Sequence, residues 1–230
     1  MYAIIDKRCS KEIKNNLNNY IEAVFEFSSN DITYNSISGH PDIFMFQDGK
    51  KLILAPNSPK ELQQFFDVKN IRYSLGIKKV GFLLENSAHY NCVTTKKYFF
   101  HKNGIPDASI QEYCSKKRSV KFSQSYVRCS MFPLGNEKII TSDVGIVNSL
   151  KKNMIANFYF DPSEIAINDH KNGFIGGTMG RLNDTIFFLG DIFKHKDGEA
   201  LHKFITSNGE EVVCLGNDYL YDGGGIFFVE

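Results

Sequence analysis

Gly173-Phe174-Ile175-Gly176-Gly177-Thr178-Met179-Gly180-Arg181-Leu182-Asn183-Asp184-Thr185-Ile186-Phe187-Phe188-Leu189 reads as two adjacent strands, Gly173–Met179 and Thr185–Leu189, with turn chemistry at Asn183-Asp184. Beyond them Asp197 is placed to cap a helix whose apolar positions Ala200, Leu201, Phe204 and Ile205 fall at helical spacing. Asn208-Gly209 stops that helix, and Val212–Leu215 returns as a short buried strand. The order is strand, strand, helix, strand.

The same order recurs upstream. Gly39–Phe46 and Lys51–Ala55 flank Asp48-Gly49, a hairpin signal. Ser58-Pro59-Lys60-Glu61 then predicts a capping box with Pro at the first helical position, followed by the buried face Leu62, Phe65, Phe66 and the strand Ile71–Leu75. A third copy has His89–Thr94, Tyr98–His101, a helix through Ile110, Tyr113 and Cys114, and Ser119–Phe122. A fourth has Tyr126–Phe132, Lys138–Ile140, a helix from Ser142-Asp143 carrying Val144, Val147 and Leu150, and Phe158–Phe160.

Two fragments remain at the chain ends. Tyr2–Ile5, the helix Lys11–Tyr20 and Ala23–Phe27 lack a first strand, while Gly223–Val229 supplies one with nothing after it. Joined, they complete a fifth module. The first strands begin near positions 39, 89, 126, 173 and 223, spacings of roughly 37 to 50 residues that suit a propeller repeat. The expected architecture is a five-bladed α/β propeller of strand–strand–helix–strand modules, one domain over residues 1–230, sealed by pairing the last strand with the first. A doubly wound sheet would alternate strand and helix, and the glycines of Gly173–Gly180 lack dinucleotide-fingerprint spacing.

Composition bounds the function classes. The 230 residues are 42% hydrophobic and 23% charged, as expected of a globular chain, and the net charge is +1. Lys and Arg form only short groups such as Lys116-Lys117-Arg118, so no nucleic-acid footprint is indicated. No apolar run approaches a membrane span, and Met1–Asp6 reaches charge too early for a signal peptide. The scattered cysteines Cys9, Cys92, Cys114, Cys129 and Cys214 lack C-x-x-C spacing, which points to a reducing, cytoplasmic setting.

Five such modules, with Gly39-His40-Pro41-Asp42-Ile43 and Asp222-Gly223-Gly224-Gly225-Ile226, resemble the pentein plan of guanidine-modifying enzymes such as agmatine deiminases, arginine deiminases and amidinotransferases. The chain is similar to a small bacterial branch of that fold. The resemblance implies a small cationic, guanidino-type ligand and no cofactor. In the deiminases a carboxyl-terminal glycine run shortly precedes the nucleophilic cysteine; here Ile226-Phe227-Phe228-Val229-Glu230 follows and offers no nucleophile.

By analogy with the fold, polar residues of the first strands converge on the axis. They are His40 and Asp42; His89 and Asn91; Arg128, Cys129 and Ser130; Thr178 beside Gly176-Gly177; and Asp222. Cys129 is the nucleophile candidate, since Arg128 and a histidine from another blade would favour its thiolate; the competing reading is an inert buried cysteine. His40 and Asp42, two apart on a strand, are expected on one face as acid/base and carboxylate, although a polar strand entry explains them as well. Asp222, Arg128, Asn91 and His89 are the expected ligand-binding residues, although for His89 and Asn91 a satisfied structural hydrogen bond is the stronger reading. His195 and His202 are expected to face solvent, and no histidine has ligand spacing, so no metal site is indicated. Two function classes follow: an enzyme acting on a guanidino or amidine C–N bond through Cys129, or a non-catalytic binding protein on the same ring. The sequence sets no oligomeric state.

Overall fold

The computed structural model describes residues 1–29 and 31–230. β1 (Tyr2–Asp6) runs parallel to β2 (Ala23–Phe27), with α1 (Lys11–Leu17) between them. β3 (Met45–Asp48) and β4 (Lys51–Leu54) form a hairpin, then α2 (Lys60–Val68) leads to β5 (Ser74–Leu75), parallel to β4. A short α3 (Leu84–Ser87) precedes β6 (Val93–Thr94), β7 (Tyr98–Lys102), α4 (Ala108–Tyr113) and β8 (Arg118–Phe122). The single-turn α5 (Val127–Ser130) precedes β9 (Met131–Pro133), β10 (Ile139–Thr141), α6 (Val144–Lys152) and β11 (Asn157–Tyr159). β12 (Met179–Leu182), β13 (Thr185–Phe188), α7 (Gly198–Thr206) and β14 (Glu211–Cys214) follow, and β15 (Phe227–Val229) ends the order.

Among the described residues these strands make five three-stranded sheets: β15-β1-β2, β3-β4-β5, β6-β7-β8, β9-β10-β11 and β12-β13-β14. In each, the first strand is antiparallel to the second and the second parallel to the third. The seam is the pairing of β15 with β1, Tyr2 opposite Val229 and Ile4 opposite Phe227. The expected five-bladed α/β propeller is therefore present, with first strands adjoining one another around the axis (β3 with β6, β6 with β9, β12 with β15). No helix of the described residues is long and apolar enough to cross a membrane.

Each helix buries a narrow apolar stripe against its own sheet: Leu62 and Phe66 from α2, Ile146, Val147 and Leu150 from α6, Leu201 and Ile205 from α7. The seam strand joins separate clusters. Phe227 and Val229 pack with Ile4, Phe27 and Met45, whereas Phe228 packs with Ala3, Ile5 and Phe187. That alternation is the period-two geometry of a strand buried on both faces.

Three local expectations are corrected. The first strands are shorter than the apolar runs suggest: the segments before β3, β9 and β12 coil into Pro41–Ile43, α5 and Ile175–Thr178, while His89–Asn91 and Gly223–Ile226 lie outside any strand. The capping box before α2 is absent. Pro59 is the N-cap, and the Ser58 hydroxyl donates to the Ala55 carbonyl instead (2.7 Å). His195 does not face solvent: it is buried against the Phe160 ring, bonded through Nε2 to the Ser163 carbonyl (2.9 Å) and accepting at Nδ1 from the Asp197 N–H (3.0 Å). A helix-flanking position does not reveal that burial, because the covering residues come from the remote Ser163 loop.

Candidate active site at the end of the ring axis

Proline decides the first part of the site. Pro41 opens a 3-10 turn, Pro41–Ile43, with His40 as its extended N-cap and Asp42 in its first turn. His40 and Asp42 thus converge through a turn and not through strand alternation. The second part is α5, whose first N–H groups need an acceptor, as every helix start does. Asn91 supplies it from the neighbouring module: its Oδ1 accepts from the N–H of Arg128 (2.6 Å) and of Cys129 (3.3 Å). The amide Nδ2 of Asn91 faces the Cys129 sulfur at 3.4 Å.

Cys129 Sγ donates to Asp42 Oδ2 at 2.8 Å. One ligand-capable atom each of His40, Asp42 and Cys129 lies within 4.8 Å of the other two. Asp222 adds a second carboxylate, its Oδ1 lying 3.9 Å from His40 Nδ1. The glycine run holds it there. Gly224 and Gly225 have φ of +71° and +82°, and a Cβ on Gly224 would stand 2.6 Å from that of His40, so only glycine fits the close approach. Asp222 itself accepts from the N–H of Phe174 (2.8 Å) and of Gly224 (3.2 Å).

The cluster is almost dry: Asp42 and Asp222 have no exposure, His40 1% and Cys129 4%. Burial dominates its protonation. It pushes Asp42 up to about 6, against the pull of Arg128, Cys129 and Asn91. Burial likewise raises Asp222. It also raises Cys129, helped by the charges of Asp42 and Asp222. His40 is lowered by burial, opposed by Asp222 and Asp6. The resting centre is consequently a protonated thiol hydrogen-bonded to a carboxylate beside a neutral imidazole.

Arg128 stands beside Cys129 on α5 and is engaged away from the cluster. Its guanidinium lies between the Phe132 and Phe227 rings (5.2 and 5.5 Å) and donates to the carbonyls of Gly176 (2.5 Å) and Met179 (3.0 Å). A cavity of about 440 Å³ is lined by Arg128, Cys92, Phe132, Arg181, Phe227 and other residues, but not by Cys129, His40, Asp42 or Asp222. Chemistry at Cys129 is therefore separated from this cavity. A hydroxyl chain runs from Ser87 to Tyr126 (2.7 Å) to Tyr34 (2.6 Å), and burial raises both phenols.

Of the residues expected from sequence, the fold brings Cys129, His40, Asp42, Asp222, Asn91 and Arg128 together. His89 stands apart, its Nδ1 bonded to the Ile105 carbonyl (2.8 Å). Sequence reading overlooked a neighbouring buried group: Asp6, paired with Arg8 (2.7 Å) and accepting from the Tyr221 hydroxyl (3.1 Å), whose charge acts on His40. An aspartate closing the apolar strand Ala3–Ile5 was the available signal. Ser130, whose buried hydroxyl has no partner among the described residues, carried no such signal beyond its place beside Cys129.

A family model described as a family of unknown function (DUF6873) matches residues 4–227. No curated protein sequence matches the chain. Among solved structures, the chain is similar to an agmatine deiminase from C. jejuni (8% identity, TM-score 0.60, 94% of this chain and 86% of that one). It is also similar to SxtG, an amidinotransferase from Microseira wollei in the saxitoxin biosynthetic pathway (12% identity, TM-score 0.55, 93% and 87%). A DDAH from Pseudomonas aeruginosa complexed with citrulline matches at 7% identity and TM-score 0.52, over 94% and 91% of the two chains. At these identities the likeness is one of fold, and that fold is the pentein propeller.

Proposed function

Because the chain belongs to the family of unknown function DUF6873 and has the pentein fold, we propose that it acts on a guanidino or amidine C–N bond through Cys129. The observation that carries this reading is the 2.8 Å contact between the Cys129 thiol and Asp42, with His40 in the same cluster and Asp222 behind it. It is supported by the company the fold keeps: structures named for an amidinotransferase, an agmatine deiminase and a citrulline-bound DDAH.

In this reading Asp42 accepts the thiol proton as sulfur bonds to the central carbon of the substrate. The tetrahedral adduct collapses by breaking a C–N bond, and the departing nitrogen takes that proton. Water or an acceptor amine then attacks the C–S carbon, giving its proton through neutral His40 to the released thiolate. The cationic substrate supplies what the resting site lacks, a positive charge that makes ionisation of a dry thiol favourable. Asp222 holds the cationic nitrogens; Arg128 and Asn91 act by fixing α5.

The test is alkylation of Cys129 near neutral pH by a haloacetamidine, which is cationic, compared with neutral iodoacetamide, followed by a guanidino-compound panel read for ureido product or ammonia. Preferential labelling by the amidine, competition by a guanidino compound and loss of turnover in Cys129→Ser are expected. Uniformly slow labelling unaffected by any guanidino compound, with no turnover, overturns the proposal. That outcome supports the alternative favoured by the burial of the cluster and the engagement of Arg128 away from it, a non-catalytic binding protein on the same ring.

A further inference from the structure

We infer that His40, Asp42 and Cys129 form a binding site for a divalent transition-metal ion of the zinc and cobalt class, with Asp222 as its outer carboxylate. A nitrogen, an oxygen and a sulfur donor drawn from two modules converge within 4.8 Å. That mixed set suits borderline, tetrahedral ions; magnesium and calcium would ask for oxygen alone.

Unsatisfied atoms point the same way. Among the described residues neither ring nitrogen of His40 has a hydrogen-bond partner, and neither has Asp42 Oδ1, although both residues are buried. Buried polar atoms are nearly always paired, and one ion at the centre of the triad would engage a nitrogen, an oxygen and the sulfur together. Arg128 is not aimed at the centre, since its donors go to the Gly176 and Met179 carbonyls.

The surrounding groups are arranged as an outer shell. Asp222 Oδ1, 3.9 Å from His40 Nδ1, faces a ring nitrogen as carboxylates commonly do behind a metal-bound histidine. Asn91 Nδ2 lies 3.4 Å from the Cys129 sulfur and fixes the α5 turn that carries it. Three protein ligands leave a fourth position for water or another small ligand.

The inference uses the same three side chains as the guanidino reading but does not rest on it, and the two are told apart by experiment. The experiment is Co²⁺ titration of chelator-treated full-length protein. One equivalent should produce the visible bands of a tetrahedral site together with a near-ultraviolet sulfur-to-cobalt band, and Zn²⁺ should bleach both. Cys129→Ser should abolish the near-ultraviolet band, and His40→Ala should weaken Co²⁺ binding by more than tenfold. Asp222→Asn, which leaves all three ligands in place, should weaken it by about 10- to 100-fold; circular dichroism confirms that each variant is folded. Absence of tetrahedral bands in the wild-type protein, or a near-ultraviolet band that survives Cys129→Ser, overturns the inference. Cobalt bands without guanidino turnover would retain this site and remove the proposed reaction; turnover without cobalt bands would do the reverse.

Discussion

Asn91 accepts from two successive N–H groups of α5 and faces the sulfur of Cys129, so its removal should act on the site both through the α5 turn and through the sulfur itself. Asn91→Ala leaves two buried donors unpaired, and the expected cost is about 1–3 kcal/mol, read from the urea midpoint. The preference of Cys129 for a cationic label should fall in the same variant; an unchanged preference would show that α5 is held by something else. Asp107 offers a pH test far from the site. It caps α4 and accepts from the N–H groups of Ile77 (2.8 Å), Lys78 (2.6 Å) and Ser109 (2.8 Å). Burial works against its charge, but these donors outweigh it and hold its pKa below the ordinary carboxylate value. A depressed folded pKa means stability that is complete above the unfolded value of about 4 and lost as pH falls through the folded one. Asp107→Asn should therefore cost about 1–3 kcal/mol at neutral pH, with the gap to wild type narrowing in acid. A gap constant from pH 7 down to strongly acidic conditions would contradict this. A structural hydrogen bond at Asn91 was legible but its partner in another module was not, and the role of Asp107 depends on the remote Ile77-Lys78 backbone.

The turns ahead of the first strands show where sequence reading succeeds and where it stops. The order of strand, strand, helix and strand was legible because hairpin turns and helical stripes are local signals, as at Asp48-Gly49 and in Leu62 and Phe66. The turns were not, since Gly39–Phe46 and Tyr126–Phe132 read as first strands, and so short a segment does not distinguish a strand from one turn of helix. Pro41 was the one local clue. This matters for the site, because a strand would send Cys129 and its neighbours to alternating faces, whereas α5 directs the thiol at Asp42. The segment carrying α3 contributes Ser87 to the hydroxyl chain with Tyr126 and Tyr34, and the Tyr34 ring meets Phe82 edge-on at 6.1 Å. Tyr126→Phe removes both hydroxyl bonds, each worth about 0.5–1.5 kcal/mol net. Alkylation of Cys129 should accelerate by about three- to tenfold as local opening becomes easier, and the urea midpoint should fall by the equivalent of about 1–3 kcal/mol. If labelling is no faster, access to the thiol does not pass this chain.

Closure of the ring by β15 and β1 places Tyr2 opposite Val229, so the point where the chain begins and ends is one interruption among five equivalent modules. If the ring as a whole determines the structure, the interruption can be moved. Joining residues 230 and 1 by a short glycine-rich linker and opening the chain between Gly49 and Lys50 would make the second module the split one. That hairpin turn is exposed, and its strands would still be held by the β3–β4 register from Met45 opposite Leu54 to Asp48 opposite Lys51. The permuted chain should fold with the same circular dichroism and lose only about 1–2 kcal/mol, because loop-closure entropy changes slowly with connection length. Weakening the seam itself should be far costlier. Phe228 is buried among Ala3, Ile5 and Phe187, and Phe228→Ala should cost about 3–5 kcal/mol. The two measurements separate connectivity from packing. A permuted chain that fails to fold, beside a Phe228→Ala protein that is barely weakened, would mean that the order of modules along the chain, and not the pairing of β15 with β1, is what completes the propeller.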